Sequence, residues 1–158
     1  MSLPGRVLGG TVVPLVALLG SAPPLAAVPR TPEQQILELT NAARTEAGCP
    51  RLRLNATLGR VAAEHSADMA HRNYFAHVDS GGRDPVERAR SAGYPSTAVG
   101  ENIAAGEKTA HATFRRWMRS APHRNNILNC RFTELGAGHA ENGESEYGHY
   151  WTQELGTR

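Results

Sequence analysis

Three short segments of this sequence carry residue types that bind ions or move protons. The first is Asn73-Tyr74-Phe75-Ala76-His77-Val78-Asp79. The second, Gly100-Glu101-Asn102-Ile103-Ala104-Ala105-Gly106, brackets one carboxylate between glycines. The third runs from Trp117 to Leu128 and contains Ser120-Ala121-Pro122-His123. His77, Glu101 and His123 make a set of two imidazoles and one carboxylate, which suits zinc with one position left open for water. Pro122 fits the first turn of a helix, so His123 lies near that helix's N-terminus, where the dipole opposes protonation. A neutral ring is what a divalent metal or a general base requires. The spacing alone does not bring the segments together, and there is no HExxH pair, since Glu64-His65 lacks the second histidine. Singly, each residue has an ordinary use: His77 on a surface loop, Glu101 bonding backbone N–H groups of its own loop.

The elements that must position these residues are legible from capping and periodicity. Thr31-Pro32-Glu33 starts a helix carrying Ile36, Leu39 and Ala43 on one face and closed by Gly48. Asn55 caps a second helix with Leu58, Val61, Ala62, His65 and Met69 in one stripe. Asp84-Pro85 opens a short third helix ending at Gly93. A fourth spans about Thr109 to Arg119, and Ser120-Ala121-Pro122 breaks it and starts another turn. The period then changes: Leu135, Ala137 and His139 alternate with Gly136, Gly138 and Ala140. Asn142-Gly143 offers a turn, and Tyr147 to Leu155 reads as the returning strand of a hairpin. The fold class is therefore α+β in one domain.

The other histidines have plain readings. His65 is a hydrogen-bonded core residue, His71 and His111 are exposed helix positions, and His139 and His149 flank the hairpin, where they could meet. Trp117 and Trp151 read as core anchors, and Asn102 as the residue that fixes the Glu101 loop. All the aromatics, three Phe, two Trp and four Tyr, lie from Tyr74 onward, which is where a pocket is to be sought.

Composition narrows the classes. With 17 basic and 15 acidic residues the net charge is +2, which gives no reason to expect nucleic acid as a partner. The N-terminus has Arg6 as its only charge, an apolar run from Val7 to Gly20, and small residues with prolines up to Ala27. That is the pattern of an export signal over 1–27, cut after Ala26 or Ala27, with a retained anchor as the alternative. In an oxidising compartment Cys49 and Cys130 most simply form one disulfide; two buried thiols are the other reading.

In their order, and with the closing Tyr150-Trp151-Thr152-Gln153, these segments resemble the CAP superfamily, or SCP domain. Its members include cysteine-rich secretory proteins, antigen 5 and plant pathogenesis-related proteins. The resemblance runs from about Gln34 to Gly156 and is closest to the secreted bacterial branch, which shares the Ser120-x-x-His123 form of the third segment. It implies a domain over 34–156 preceded by a short extension, 28–33. It also implies an α-β-α sandwich with a small antiparallel sheet between helices, and a cleft of two histidines and two glutamates. His77 and His123 match the histidines, and Glu101 the first glutamate. Ser120 stands at the second glutamate's position, where a hydroxyl cannot replace a carboxylate as base or strong ligand; its expected role is to cap the His123 helix.

Three functions follow as expectations. The leading one is a secreted, extracellular binding module, at the cell wall or free of it, with a cleft of His77, Glu101, His123, Ser120 and Asn102. In it, His77 and His123 would hold zinc or copper, or the cleft a small polar ligand or cell-envelope component. The second is a metal-assisted hydrolase, a peptidase or cell-wall hydrolase, with Glu101 as ligand or base. The third is a polar brace without a ligand. The expected mature protein is a monomer without a membrane span.

Overall fold

The structure is a computed structural model that describes residues 29–158. The export signal assigned to 1–27 lies outside the described residues. Helix α1 (Pro32–Glu46) begins with a reciprocal cap: Thr31 Oγ1 accepts from the Gln34 N–H at 3.3 Å, and the Gln34 side chain accepts from the Thr31 N–H at 3.0 Å. Helix α2 (Ala56–Arg72) is capped by the Asn55 side chain. It ends at Asn73, whose φ of 53° is the left-handed turn that short polar side chains tolerate. Asp84 and Glu87 repeat the reciprocal cap on α3 (Pro85–Ser91). Helices α4 (Ala110–Arg119) and α5 (Ala121–Ile127) meet at Ser120, where Pro122 in the first turn of α5 prevents a continuous helix.

Four strands, β1 (Arg53–Leu54), β2 (Val99–Ala105), β3 (Glu134–Glu141) and β4 (His149–Gly156), form one sheet in the order β1-β3-β4-β2. β2 and β3 each pair antiparallel with β4, and the two-residue β1 pairs parallel with β3. The three long strands make the small antiparallel sheet expected, and β1 adds a short parallel edge to it. Two other expectations change. The Gly100–Gly106 segment is not a loop but strand β2, hydrogen-bonded to β4 along its length. Its side chains are covered on both faces, so it lacks the polar–apolar alternation that marks a half-exposed strand. The hairpin also turns more slowly than Asn142-Gly143 implied: β4 starts at His149 rather than Tyr147, and Asn142 instead donates to the Ala70 carbonyl at 2.9 Å.

Helices cover both faces of the sheet. On one, α2 lies directly on β3: a Cβ on Gly136 would come 2.1 Å from the backbone of Leu58 and Gly59, and one on Gly138 2.3 Å from Ala63 N. These glycines let two backbones touch. On the other face, α1, α4 and α5 close over Ile36, Trp117, Ile127, Leu135, Trp151 and Leu155, all buried. Arg44 reaches into the same layer fully buried, donating to the carbonyls of Pro50, Ile127, Asn129 and Phe132 at 2.8–2.9 Å. Beside it Cys49 and Cys130, 81 residues apart in sequence, form the disulfide.

Candidate functional site

Strand register decides what surrounds Glu101. On β2 it faces Glu154 of β4, its cross-strand partner, and both carboxyl groups point to the α2 side of the sheet. The next pair, Asn102 and Gln153, points the other way. There Asn102 Nδ2 donates to Gln153 Oε1 at 2.9 Å and to the His123 carbonyl at 3.2 Å, while Asn126 Nδ2 donates to Asn102 Oδ1 at 3.0 Å and to the Glu101 carbonyl at 3.1 Å. Asn102 is fully buried. It was expected to fix a loop around Glu101; it instead ties strand β2 to both β4 and α5.

Glu101 is buried and engaged at both oxygens. Oε1 accepts from His77 Nδ1 at 2.6 Å; Oε2 accepts from the Arg88 guanidinium and lies 3.9 Å from His65 Nε2. Arg88 also donates to the His77 carbonyl at 2.6 Å and reaches Glu154 Oε1 at 3.3 Å. Burial pushes the Glu101 carboxyl up, but the His77 hydrogen bond and the Arg88 charge outweigh it, and its pKa ends below the ordinary carboxylate value. Glu154, fully buried, is driven well above that value by burial and by the negative charge of Glu101. Within the pair Glu154 therefore holds a shared proton more strongly than Glu101 does, and Arg88 balances the charge of Glu101.

This arrangement orients His77. An ionised carboxylate only accepts, so Nδ1 carries a proton and donates it to Glu101, which turns Nε2 away from the carboxylate. The side chain is 52% exposed. His123, on α5, has its pKa lowered by burial first, then by the nearby charges of His77 and Arg116. A lowered pKa was expected from the helix dipole; burial is the leading cause of it here. His123 Nδ1 is buried with no partner, and no hydrogen bond joins the ring to His77 or Glu101. Ser120 does occupy the cap position of α5, but its side chain makes no capping bond, contrary to expectation.

The donor set therefore differs from two imidazoles and a carboxylate around one ion. Among the described residues no three His, Cys, Asp or Glu side chains converge in a ligating arrangement. Glu101 does not fit as a ligand, since His77 and Arg88 occupy its oxygens. His77 and His123 fit as two donors, with Glu101 behind His77 fixing its tautomer. Sequence reasoning missed Arg88 and Glu154, because only strand register and the docking of α3 bring residues 88, 101 and 154 together. The one available signal was an acid at 154 in a strand whose neighbours Trp151, Thr152, Gln153 and Leu155 carry no charge.

The other histidines fall as expected or nearly so. His65 is buried, and its Nε2 donates to the Ala76 carbonyl at 2.9 Å. His139 Nε2 and His149 Nδ1 are 3.1 Å apart, with His139 stacked on Trp151. His71 and His111 are exposed.

The sequence pattern of the family described as CAP, cysteine-rich secretory protein family, matches residues 37–155. The chain is 39% identical over 123 residues to YkwD of Bacillus subtilis, a match covering 78% of this chain and 46% of YkwD. Among solved structures it is similar to an extracellular SCP-domain protein from Bacillus anthracis (TM-score 0.72, 33% identity, 80% of this chain and 40% of that one). It shares its fold with an outer surface protein from Borrelia burgdorferi (TM-score 0.71, 17% identity, 78% and 90% of the two chains). The chain thus spans less than half the length of YkwD and of the Bacillus anthracis protein.

Proposed function

This chain belongs to the CAP, or cysteine-rich secretory protein, family, and from that premise we propose a secreted binding module acting at or outside the cell envelope. The ligand surface is the cleft of His77 and His123, with Glu101 behind them. The observation that carries the reading is the engagement of Glu101: held by His77 and Arg88 and buried, it orients an imidazole and has no free oxygen with which to take a proton from water. The half-exposed His77 ring, its Nδ1 turned to Glu101, and His123, whose pKa burial lowers, suit a divalent ion such as zinc or copper, or a small polar ligand with a hydrogen-bond donor. When bound, a metal would supply a Lewis-acidic point of attachment. Export is supported by the signal pattern over 1–27 and by the extracellular and outer-surface descriptions of the similar proteins. Among the described residues no helix is long and apolar enough to cross a membrane.

Calorimetry of the purified protein with zinc and with copper tests the cleft. A binding isotherm is expected, weakened in His77→Ala and His123→Ala alike. A silent titration in the parent protein rules out the metal. Release of products from peptidoglycan or casein by the parent protein would favour the hydrolase reading instead.

A further inference from the structure

Residues 108–131 contain six basic side chains and no acid, in a chain whose net charge is only +2, so the remainder is net negative. Helix α4 has no carboxylate in its ten residues. Two of the arginines are used inside the protein. Arg116 binds Glu107 at 2.8 and 3.1 Å and the Ala105 carbonyl at 3.0 Å, and Arg124 donates to the Met118 carbonyl at 3.1 Å. Lys108, His111, Arg115 and Arg119 are exposed instead. Among the described residues, Arg116–Glu107 is the one ion pair made anywhere between Lys108 and Arg131.

The free charges form a line. His111, Arg115 and Arg119 recur every fourth residue and so share one face of α4, while Ala110, Thr113 and Trp117 on the other face are buried. Lys108 stands at the head of the line, one residue before the Thr109 cap. Successive positions are about 6 Å apart along the axis. Within the protein the line is unfavourable. Arginines four residues apart repel, and the helix dipole, which favours Arg119 at the C-terminal end, opposes Lys108 at the N-terminal one. Glu107, the acid nearest to Lys108 in sequence, is turned to Arg116. A linear anion laid along the helix would answer the repulsion.

The shape and chemistry of the line select among polyanions. Phe114 and Met118 are half-buried against the core, and the exposed Leu54, Phe75, Val78 and Tyr147 lie on other elements. A bilayer takes up apolar groups beside basic ones, and single-stranded nucleic acid stacks on aromatic rings, so both would find only charge here. Guanidinium forks match phosphate oxygens in pairs. Charges recurring at about 6 Å correspond to one phosphate per short polyol, closer than one acid per disaccharide.

We propose that the outer face of α4 docks a linear phosphodiester polyanion, a polyol-phosphate polymer of the cell wall, through Lys108, Arg115 and Arg119. The surface is separate from the His77 cleft. The proposal rests on the export reading only for where protein and polymer meet, and binding by the purified protein does not depend on it.

Fluorescence anisotropy of labelled poly(glycerol phosphate) titrated with the purified protein is the test. Saturable binding is expected at about 50 mM salt, with log K falling against log salt at a slope of about −2, the value for three phosphate contacts on a flexible chain. Arg115→Gln/Arg119→Gln should weaken binding by about tenfold or more and leave a slope of about −0.7. Arg51→Gln/Arg90→Gln removes the same charge from two arginines exposed elsewhere and should leave both values close to the parent's. His77→Ala should also leave them unchanged, which separates this surface from the cleft. Equal losses in the two double variants would mean attraction by net charge without a site. That outcome, no binding by the parent, or stronger competition by hyaluronate, oligothymidylate or phosphatidylglycerol vesicles than by unlabelled polymer overturns the proposal.

Discussion

Glu101 and Glu154 meet across two strands with one arginine between them, and the arrangement makes opposite demands on two residues of the same type. Glu101 must be ionised to hold Arg88 and His77; Glu154 must keep its proton. Their contributions to stability consequently run in opposite directions with pH. Glu101 has a lowered folded-state pKa, so its contribution is complete above the unfolded value of about 4.3 and is lost as pH falls through the folded value. Glu154 has a raised one, so its contribution is complete below about 4.3 and is lost as pH rises toward the folded value. Glu154→Gln presents the same acceptor to Arg88 and the same donor to Glu101 without a titrating proton. Denaturant unfolding at pH 4 and pH 7 should show the variant gaining on the parent as pH rises. Glu101→Gln, by contrast, leaves a buried guanidinium short of its counter-charge and should cost about 3 kcal/mol or more at pH 7 by the same measurement. Equal effects of the two substitutions at neutral pH would refute the shared-proton assignment. In the sequence, His77, Glu101, Asn102 and His123 stood out because each sits in a segment of unusual composition. Arg88 and Glu154 did not, since neither the pairing across β2 and β4 nor the seat of α3 leaves a local mark.

The union of α2 with β3 is the tightest joint between elements. Gly136 and Gly138 lie under the α2 backbone with less space than one methyl group needs, and that backbone has no flexible end to yield. Gly136→Ala should therefore cost at least the roughly 1–3 kcal/mol of ordinary core overpacking and lower the melting temperature accordingly. Gly143→Ala, where an added Cβ meets nothing within 4 Å, should stay within about 0.5 kcal/mol of the parent. A similar fall in both variants would place the effect in local backbone preference instead of helix–sheet contact. The helices were legible from caps and apolar spacing because those signals are local: Thr31, Asn55 and Asp84 all cap where expected. Strand β2 was not, because a strand covered on both faces has no period to detect. The alternating glycines of β3 were visible, but their purpose depends on a helix some 70 residues earlier.

At the scale of the molecule, the sandwich is held at one end by a covalent and a polar clamp placed side by side. The Cys49–Cys130 bridge closes a loop worth about 4.5 kcal/mol in chain entropy, an upper figure. Arg44 gathers four carbonyls from the same region without a carboxylate partner, and burial lowers its pKa. Dithiothreitol should lower the unfolding free energy by up to that amount; an unchanged unfolding curve under full reduction would show that Arg44 and the surrounding core hold this end alone. The pairing of the two cysteines was readable from their number and the export-like pattern of residues 1–27, whereas Arg44 resembled any surface arginine at the end of a helix. The bridge also determines how the molecule responds to proteases. The exposed turn at residues 80–83 lies between the two cysteines, so a single cut there leaves two fragments that remain one covalent body. Such a nicked molecule should migrate as one band without reductant and as two with it. A cut in the 142–148 loop, beyond Cys130, should leave β4 retained by pairing alone and release it on denaturation. Damage at the first place is hidden by the bridge; at the second it detaches the strand that carries Glu154.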